Sequence, residues 1–373
     1  MAQERKKRRI VLASILKPVD DTRMFDKMAT SLANSGEYEV FIVGYPSSSS
    51  ASVPGIQFIS LTPFKRLSFR RWRAKWQVFR RVWSLKPSIL IFSTHELLFP
   101  AVLLKILINT CIVYDVQENY YRNIILSGGF PRLIGWPLAL LVRFQEKLLA
   151  PLIHHFFLAE KAYENEFKFH RGGWTVIENK AQVPRLPRHY DSVKIPRAIR
   201  LLFSGTLAES TGVFRAIALA KELHLLNPSI SLTIIGHASL KADRERIHQE
   251  INSCPFIDLI GGDTLVPHLK ILESIQNSDF GILAYPLSNH SLNSHPTKLF
   301  EYLDAQLPII LERHWLWTKT YEQYEPFAFV NFSKPDYTTL LHELETKKFY
   351  PKAPTEVSWN SEEEKLLKSL GNL

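Results

Sequence analysis

The chain has 373 residues, 46% apolar and 22% charged, enough at about 100–200 residues per domain for two domains with separate cores, and too apolar for a disordered chain. Two cysteines, Cys111 and Cys254, exclude a disulfide scaffold or a Cys-rich zinc module and fit thiols in a reducing compartment. The net charge of +10 is lopsided: residues 1–180 carry 26 Lys+Arg against 14 Asp+Glu, and residues 198–373 carry 16 against 21. A basic front half points to an anionic partner, whether a membrane surface, a nucleic acid or a phosphorylated substrate.

The first element follows a basic run, Arg5–Arg9. Its apolar stretch, Ile10 to Leu16, stops at Lys17, Asp20 and Asp21, too short for an export signal and right for a buried strand. The apolar runs from Leu97 and Leu133 are interrupted by Pro100 and Lys105, and by Pro137 and Arg143. Neither reaches the roughly 18–20 residues of a membrane span.

Short apolar runs then alternate with longer helical patterns. Strands are expected at 9–14, 38–44, 57–61, 88–93, 111–115, 155–159 and 174–177, and again at 200–204, 232–236, 257–260, 280–285, 308–311 and 328–331. Helices such as 213–226 and 264–277 fill the gaps. This order predicts an α/β protein with two Rossmann-like, doubly wound domains facing a cleft. The first covers 1–180, a Pro-rich charged linker 181–197, the second 198–350 and a tail or crossover helix 351–373.

Residues 65–86 form a separate feature, with nine Lys or Arg and no acid. Phe69, Trp72, Trp76, Phe79 and Trp83 recur at +3, +4, +3, +4 and fall within an arc of about 80° on a helix, with basic residues on both flanks. Such a pattern suits a membrane interface, with Arg70, Arg71, Trp72, Arg73, Trp76, Arg80 and Arg81 as contacts. It equally suits the core face of a crossover helix, and its Arg–Trp interleaving also suits nucleic acid.

Several chemistries have no motif here. The sequence lacks a Walker-type phosphate loop, a Gly-x-Gly-x-x-Gly after the first strand, a Gly-x-Ser-x-Gly elbow, a Cys-x-x-Cys, a His-Glu-x-x-His and an Asp-x-Asp. Neither a dinucleotide cofactor nor a metal is therefore expected. The segment that carries chemistry is HPTKLFEYLDAQLP, 295–308. Pro296 opens a helix, where its missing N–H costs nothing. The free N–H groups of the first turn and Lys298 suit a diphosphate. Glu301 lies one turn after Thr297, placed to accept from a ribose diol.

That segment resembles the signature of GT-B glycosyltransferases of the family-4 type, roughly Pro-x-Lys-Leu-x-Glu-Tyr-x-x-x-x-x-Pro. FSGTLAESTGVFRAI (203–217), RIVLASILKPVDDTRMFDKMATSLA (9–33) and YDVQEN (114–119) resemble further parts of the family. The resemblance implies a nucleotide-sugar donor in the second domain, held by Gly205, Thr206, Asn293, Pro296, Thr297, Lys298 and Glu301. It implies a retaining, metal-independent transfer, needing no cofactor beyond the donor. The chain departs from the family at Asn293 (for Glu), Thr211 (for Lys), Ala305-Gln306 (for Ala-Gly) and Gln117 (for His); Lys17-Pro18-Val19-Asp20 replaces a Gly-Gly loop.

On the first-domain side, loops after the strands offer Asp21, His95 and Glu118 as catalytic candidates. Arg23 is expected to pair with Asp21 or Asp26, and Asp115 to cap a turn. The expected function is a cytoplasmic glycosyltransferase, peripheral on the inner face of the plasma membrane. It would move a sugar to a lipid-linked or polysaccharide acceptor in cell-surface glycan synthesis, with an anionic membrane rather than nucleic acid as partner. A nucleotide-sugar epimerase of the same fold is the alternative enzyme, and a nucleic-acid-binding protein the alternative class.

Overall fold

A computed structural model describes residues 7–47, 53–64, 70–126, 131–169, 172–182, 198–286 and 294–373. Asn293 lies outside the described residues, as do the side chain of Arg70 and most of 181–197. The chain divides into two units: unit 1 is Met1–Asn179 with Asn360–Leu373, and unit 2 is Lys180–Trp359.

Unit 1 is built on β1 (Arg8–Pro18), β2 (Tyr38–Tyr45), β3 (Ile56–Ser60), β4 (Ile89–Phe92), β5 (Cys111–Val116), β6 (His155–Leu158) and β7 (Gly173–Val176). All seven run parallel in the order β3-β2-β1-β4-β5-β6-β7. The apolar runs form strands because both faces of the sheet are covered, so no alternation with polar residues is needed. Its helices are α1 (Thr30–Asn34), which continues a π-helical segment Thr22–Ala29, then α2 (Arg70–Leu85), α3 (Leu98–Ile108), α4 (Tyr120–Leu126), α5 (Arg132–Leu149) and α6 (Tyr163–Glu166).

Unit 2 repeats the plan with β8 (Ile199–Thr206), β9 (Ile230–His237), β10 (Ile257–Gly262), β11 (Phe280–Leu283), β12 (Ile309–Leu311) and β13 (Phe327–Phe329), parallel in the order β10-β9-β8-β11-β12-β13. Its helices are α7 (Val213–Leu226), α8 (Lys241–Ile251), α9 (His268–Gln276), α10 (Thr297–Asp304), α11 (Trp315–Tyr321) and α12 (Tyr337–Thr346). The final helix, α13 (Asn360–Gly371), returns to unit 1. It packs on α1 and β7, and its Glu362 accepts from the Glu178 amide at 2.9 Å.

Both sheets reverse direction beside their first strand, between β1 and β4 and between β8 and β11. The carboxyl ends at such switch points splay apart and leave a crevice, where open α/β sheets hold ligands.

Helix α2 departs from expectation. Its core face is Ala74, Val78 and Val82, all buried, about 130° around the helix from the row Trp72, Trp76, Phe79 and Trp83. Small side chains let the helix approach the sheet closely, and the large rings meet at a tilt or edge to face along the row, with successive centroids 6.3, 5.7 and 5.6 Å apart, Phe79 also touching the core. Trp72 is 54% exposed.

Candidate functional site

In unit 2 the switch-point crevice gathers the ends of β8 and β11 and the starts of α7 and α10. The turn after β8 depends on two glycines. Gly205 has φ +96°, and a Cβ there would sit 3.4 Å from Lys298 Cε and 3.7 Å from Nζ, so glycine keeps open the space over which the lysine lies. Gly212 has φ +86°, and a Cβ there would meet the Ala284 carbonyl at 2.0 Å. Only glycine allows the start of α7 to press against the end of β11.

Thr211 does not replace the cation expected at its position. Its hydroxyl donates to the Thr206 carbonyl at 2.7 Å and accepts from the Ala208 amide at 3.2 Å, bracing the turn. Neither α7, preceded by Gly212, nor α10, preceded by Pro296, has a side-chain cap. In the first turns the Val213 amide donates to the Ala208 carbonyl at 3.4 Å and the Leu299 amide to the Pro296 carbonyl at 2.9 Å, and the positive end of each helix dipole still favours an anion.

Lys298, at the second position of α10, is buried, and its Nζ has no hydrogen-bond partner among the described residues. It lies 4.4 Å from the Phe203 ring centroid and 5.0 Å from that of Tyr285. Burial pushes its pKa down to about 7, with Glu301 opposing the shift. Glu301, also buried, takes a 2.8 Å bond from His268 Nε2 at the start of α9. This fixes one carboxylate oxygen and leaves Oε2 for a ligand. Ser204 and Tyr302 bond at 2.8 Å beneath and lock α10 to β8. Thr297 opens α10, and Gly205 and Thr206 close β8, so those residues expected from sequence to hold a donor that are described lie at one edge of the sheet.

Unit 1 has a different edge. Arg23 and Asp115 form a buried, forked pair, Nη2–Oδ1 at 2.7 Å and Nε–Oδ2 at 3.0 Å, and Arg23 Nη1 donates to the Ile177 carbonyl at 2.9 Å. This corrects the expected pairing with Asp21 or Asp26 and the expected capping role of Asp115. The pair spans 92 residues of sequence, and burial makes both groups require a partner. Burial works against the Arg23 charge, yet Asp115 holds its pKa above the usual value. Gln117 donates to Asp115 at 2.8 Å, extending the network along the strand ends.

Of the catalytic candidates, Asp21 caps the helical segment that starts at Thr22, its Oδ1 accepting from the amides of Arg23 and Met24 at 3.1 Å. His95 packs at a tilt against Tyr120, with centroids 4.6 Å apart, and lies 3.2 Å from Glu96; burial lowers its pKa. Glu118 is exposed and accepts from Asn123 at 3.0 Å. The three occupy separate loops at one sheet edge, and no hydrogen bond given for the described residues joins them. Arg71 turns inward to pair with Glu96, whereas Arg73, Arg80 and Arg81 point outward and Trp76 is half-buried.

Sequence reasoning missed two groups. His268 was hidden because it meets Glu301 across 33 residues; its place after Pro267, at a helix start like that of α10, was the available signal. The other is a cluster after β6. Glu160 has its pKa pushed up to about 8 by burial and by Glu166 and Glu178, against Arg122. Arg122 binds Glu166 at 2.8 Å. Nearby, burial raises Glu146 to about 7 although Arg143 is 3.2 Å away. No group of three or more His, Cys, Asp or Glu among the described residues is arranged to hold a metal ion.

No protein-family model matches the chain, and no curated protein matches it in sequence. Solved structures do. The sucrose-phosphate synthase of Thermosynechococcus elongatus is 12% identical, with TM-score 0.65 over 98% of this chain and 99% of that one. The HepE protein of Anabaena, solved with UDP and glucose, is 11% identical, with TM-score 0.66 over 98% and 100%. A UDP-N-acetylglucosamine 2-epimerase assigned from Listeria monocytogenes is 12% identical, with TM-score 0.62 over 98% and 96%. With its two parallel Rossmann-like sheets, each reversing beside its first strand, the chain has the GT-B fold of glycosyltransferases.

Proposed function

We propose that the chain is a glycosyltransferase that binds a nucleoside-diphosphate sugar at the carboxyl edge of the unit 2 sheet. The observation that carries this reading is Lys298, a buried ammonium without a hydrogen-bond partner among the described residues, lying over Gly205. An isolated buried cation is costly unless something anionic completes it. Together with the positive dipole ends of α7 and α10, it matches a diphosphate and, in the reaction, the charge that develops on a diphosphate leaving group. Glu301, steadied by His268, then accepts from the ribose hydroxyls. Asn293 joins this set by the family pattern.

In unit 1, the loops bearing Asp21, His95 and Glu118 are the acceptor side of the reading. His95 is the base we favour among them, because burial keeps its imidazole neutral and a neutral imidazole can take a hydroxyl proton. The acceptor class we favour is a lipid-linked or polysaccharide precursor, with the basic face of α2 directed to an anionic membrane and the enzyme peripheral on its cytoplasmic side. A retaining, metal-independent outcome follows from the family pattern. Uridine is the first base to test, because HepE was solved with UDP.

The experiment is a thermal-shift screen of the wild type and Glu301→Ala against UDP-, GDP- and ADP-sugars. A donor at a hundred times its dissociation constant adds about 2.7 kcal/mol, a shift of several degrees. A shift in the wild type that Glu301→Ala abolishes supports the site. The absence of any shift, with no hydrolysis of a nucleotide sugar in the presence of membranes, refutes it. The likeness to a 2-epimerase supports one rival. Conversion of UDP-N-acetylglucosamine to its epimer without any acceptor would favour that enzyme.

A further inference from the structure

Unit 1 carries an apolar outer surface that its own core does not use. Helix α5 is inside out. Its buried face is made of small residues, Gly135, Ala139 and Val142, with Glu146. Its exposed face carries Leu133, Trp136, Leu140, Leu141, Phe144 and Leu148. Leu133 is 91% exposed and Phe144 63%. These six lie within an arc of about 140°, and Lys147 is the one charged residue inside it.

The neighbouring helix α3, which packs on α5, adds Leu107 and Ile106, the latter 71% exposed. Its Phe99 meets Trp76 of α2 with centroids 6.4 Å apart. A band of apolar side chains therefore runs from the aromatic row of α2 across α3 to α5. Water-exposed apolar patches beyond a few hundred Å² are rare on soluble proteins and mark a partner.

Charge identifies that partner. Helices α2, α3 and α5 carry six, one and three Lys or Arg and a single carboxylate, Glu146, which is buried. Arg73, Arg80 and Arg81 point outward, and Lys75 lies 5.1 Å over the Trp72 ring. A second copy of this face would bring the same cations and no exposed acid to answer them, and like-charge juxtaposition is costly. Anionic headgroups answer the cations, and acyl chains answer the leucines. No helix among the described residues is long and apolar enough to cross a membrane, so this surface lies on the bilayer.

We propose that the α2–α3–α5 face is a monotopic docking surface for an anionic lipid bilayer, with the exposed side chains of α5 seated in the headgroup–acyl boundary and the cations of α2 on the headgroups. It deepens the membrane reading proposed for α2, on which it rests, by placing α5 in the boundary, and does not depend on the donor site.

The test is co-flotation of the full chain with vesicles of phosphatidylcholine, alone or mixed with phosphatidylglycerol. The wild type binds the mixed vesicles. The doubly substituted Leu140→Gln/Phe144→Gln chain, altered only at exposed positions, partitions at least about tenfold less into either vesicle. Arg80→Gln/Arg81→Gln loses affinity only for the mixed vesicles and flattens the salt dependence. Both variants keep the wild-type melting temperature and the wild-type thermal-shift response to nucleotide sugars. A chain that responds to no nucleotide sugar, yet floats and loses flotation in the α5 variant, refutes the donor reading and supports this one. Undiminished flotation of the α5 variant overturns the proposal. So does a wild type that prefers RNA to vesicles, or an α5 substitution that only splits an oligomer.

Discussion

The two sheet edges have the same topology and opposite electrostatics. At the unit 2 edge the buried cation Lys298 has no hydrogen-bond partner among the described residues, and two helices start there without a side-chain cap. At the unit 1 edge the buried Arg23 is matched to Asp115, and the half-buried Arg71 and Arg122 to Glu96 and Glu166. The carboxyls of Glu146 and Glu160 are pushed up to about 7 and about 8. One edge is left incomplete in a way that an anion completes. The other has its charges paired and leaves buried polar atoms of Ser93, Thr94, His95 and Glu96 without a hydrogen-bond partner among the described residues, which suits an uncharged hydroxyl better than a phosphate. One fold thus yields two sites, because each edge resolves its buried charge differently.

Breaking the edge with paired charges has the largest effect. Arg23→Met strands Asp115 in the core and costs about 3–5 kcal/mol. Calorimetry should show the melting temperature of the chain falling sharply. If it falls by no more than a degree or two, the pair is not the strut described here.

Breaking the incomplete edge moves stability and binding in opposite directions. Lys298→Met removes a buried charge whose burial cost outweighs its attraction to Glu301, so the ligand-free protein should melt about 2–4 °C higher. The same change should weaken nucleotide-sugar binding about tenfold to a hundredfold, as read by calorimetric titration. The sign of the stability change depends on pH. Between about 7, the folded value, and 10.5 the unfolded chain holds a proton that the folded chain has released, so stability rises with pH through that window. Below it the full destabilisation is present. The gain from Lys298→Met should therefore be largest near pH 6 and vanish toward pH 10.

Glu160 gives a smaller effect of opposite slope. Its folded value of about 8 stands above the ordinary 4.5. Between these the folded chain holds the proton that the unfolded chain has lost, and stability falls as pH rises. Glu160→Gln should flatten the decline from pH 5 to 8, seen as a gain of a degree or two at pH 8 alone. An equal change at both pH values would show that the carboxyl is not held protonated.

The central strands, such as β1, β4 and β11, were legible because each is a short apolar run buried on both faces, and such runs need nothing from distant sequence. The start of α10 was legible too, although Pro296 sits just before the helix rather than in its first turn, since local chemistry sets a helix start. Pairings across long separations were not legible. Arg23 had nearer acids in sequence than Asp115, and only the β1–β4–β5 adjacency brings that carboxylate to it. The core face of α2 was hidden for another reason. Hydrophobic periodicity weights the large tryptophans, while Ala74, Val78 and Val82 pack inward because they are small. The same inversion, small inside and large outside, leaves α5 without a partner in its own core.

The central claim is that Lys298 meets the diphosphate of a donor as a charged group, and its lowered pKa makes that claim measurable. At pH 8 the free site is largely neutral and must take up a proton to bind an anion, so affinity should fall as pH rises above about 7. The measurement is titration calorimetry of UDP at pH 8 in buffers of different ionisation enthalpy. The account predicts uptake of close to one proton on binding, with uptake absent in Lys298→Arg, whose guanidinium is already charged. Binding of equal strength in the wild type and Lys298→Met, without proton uptake, would contradict it.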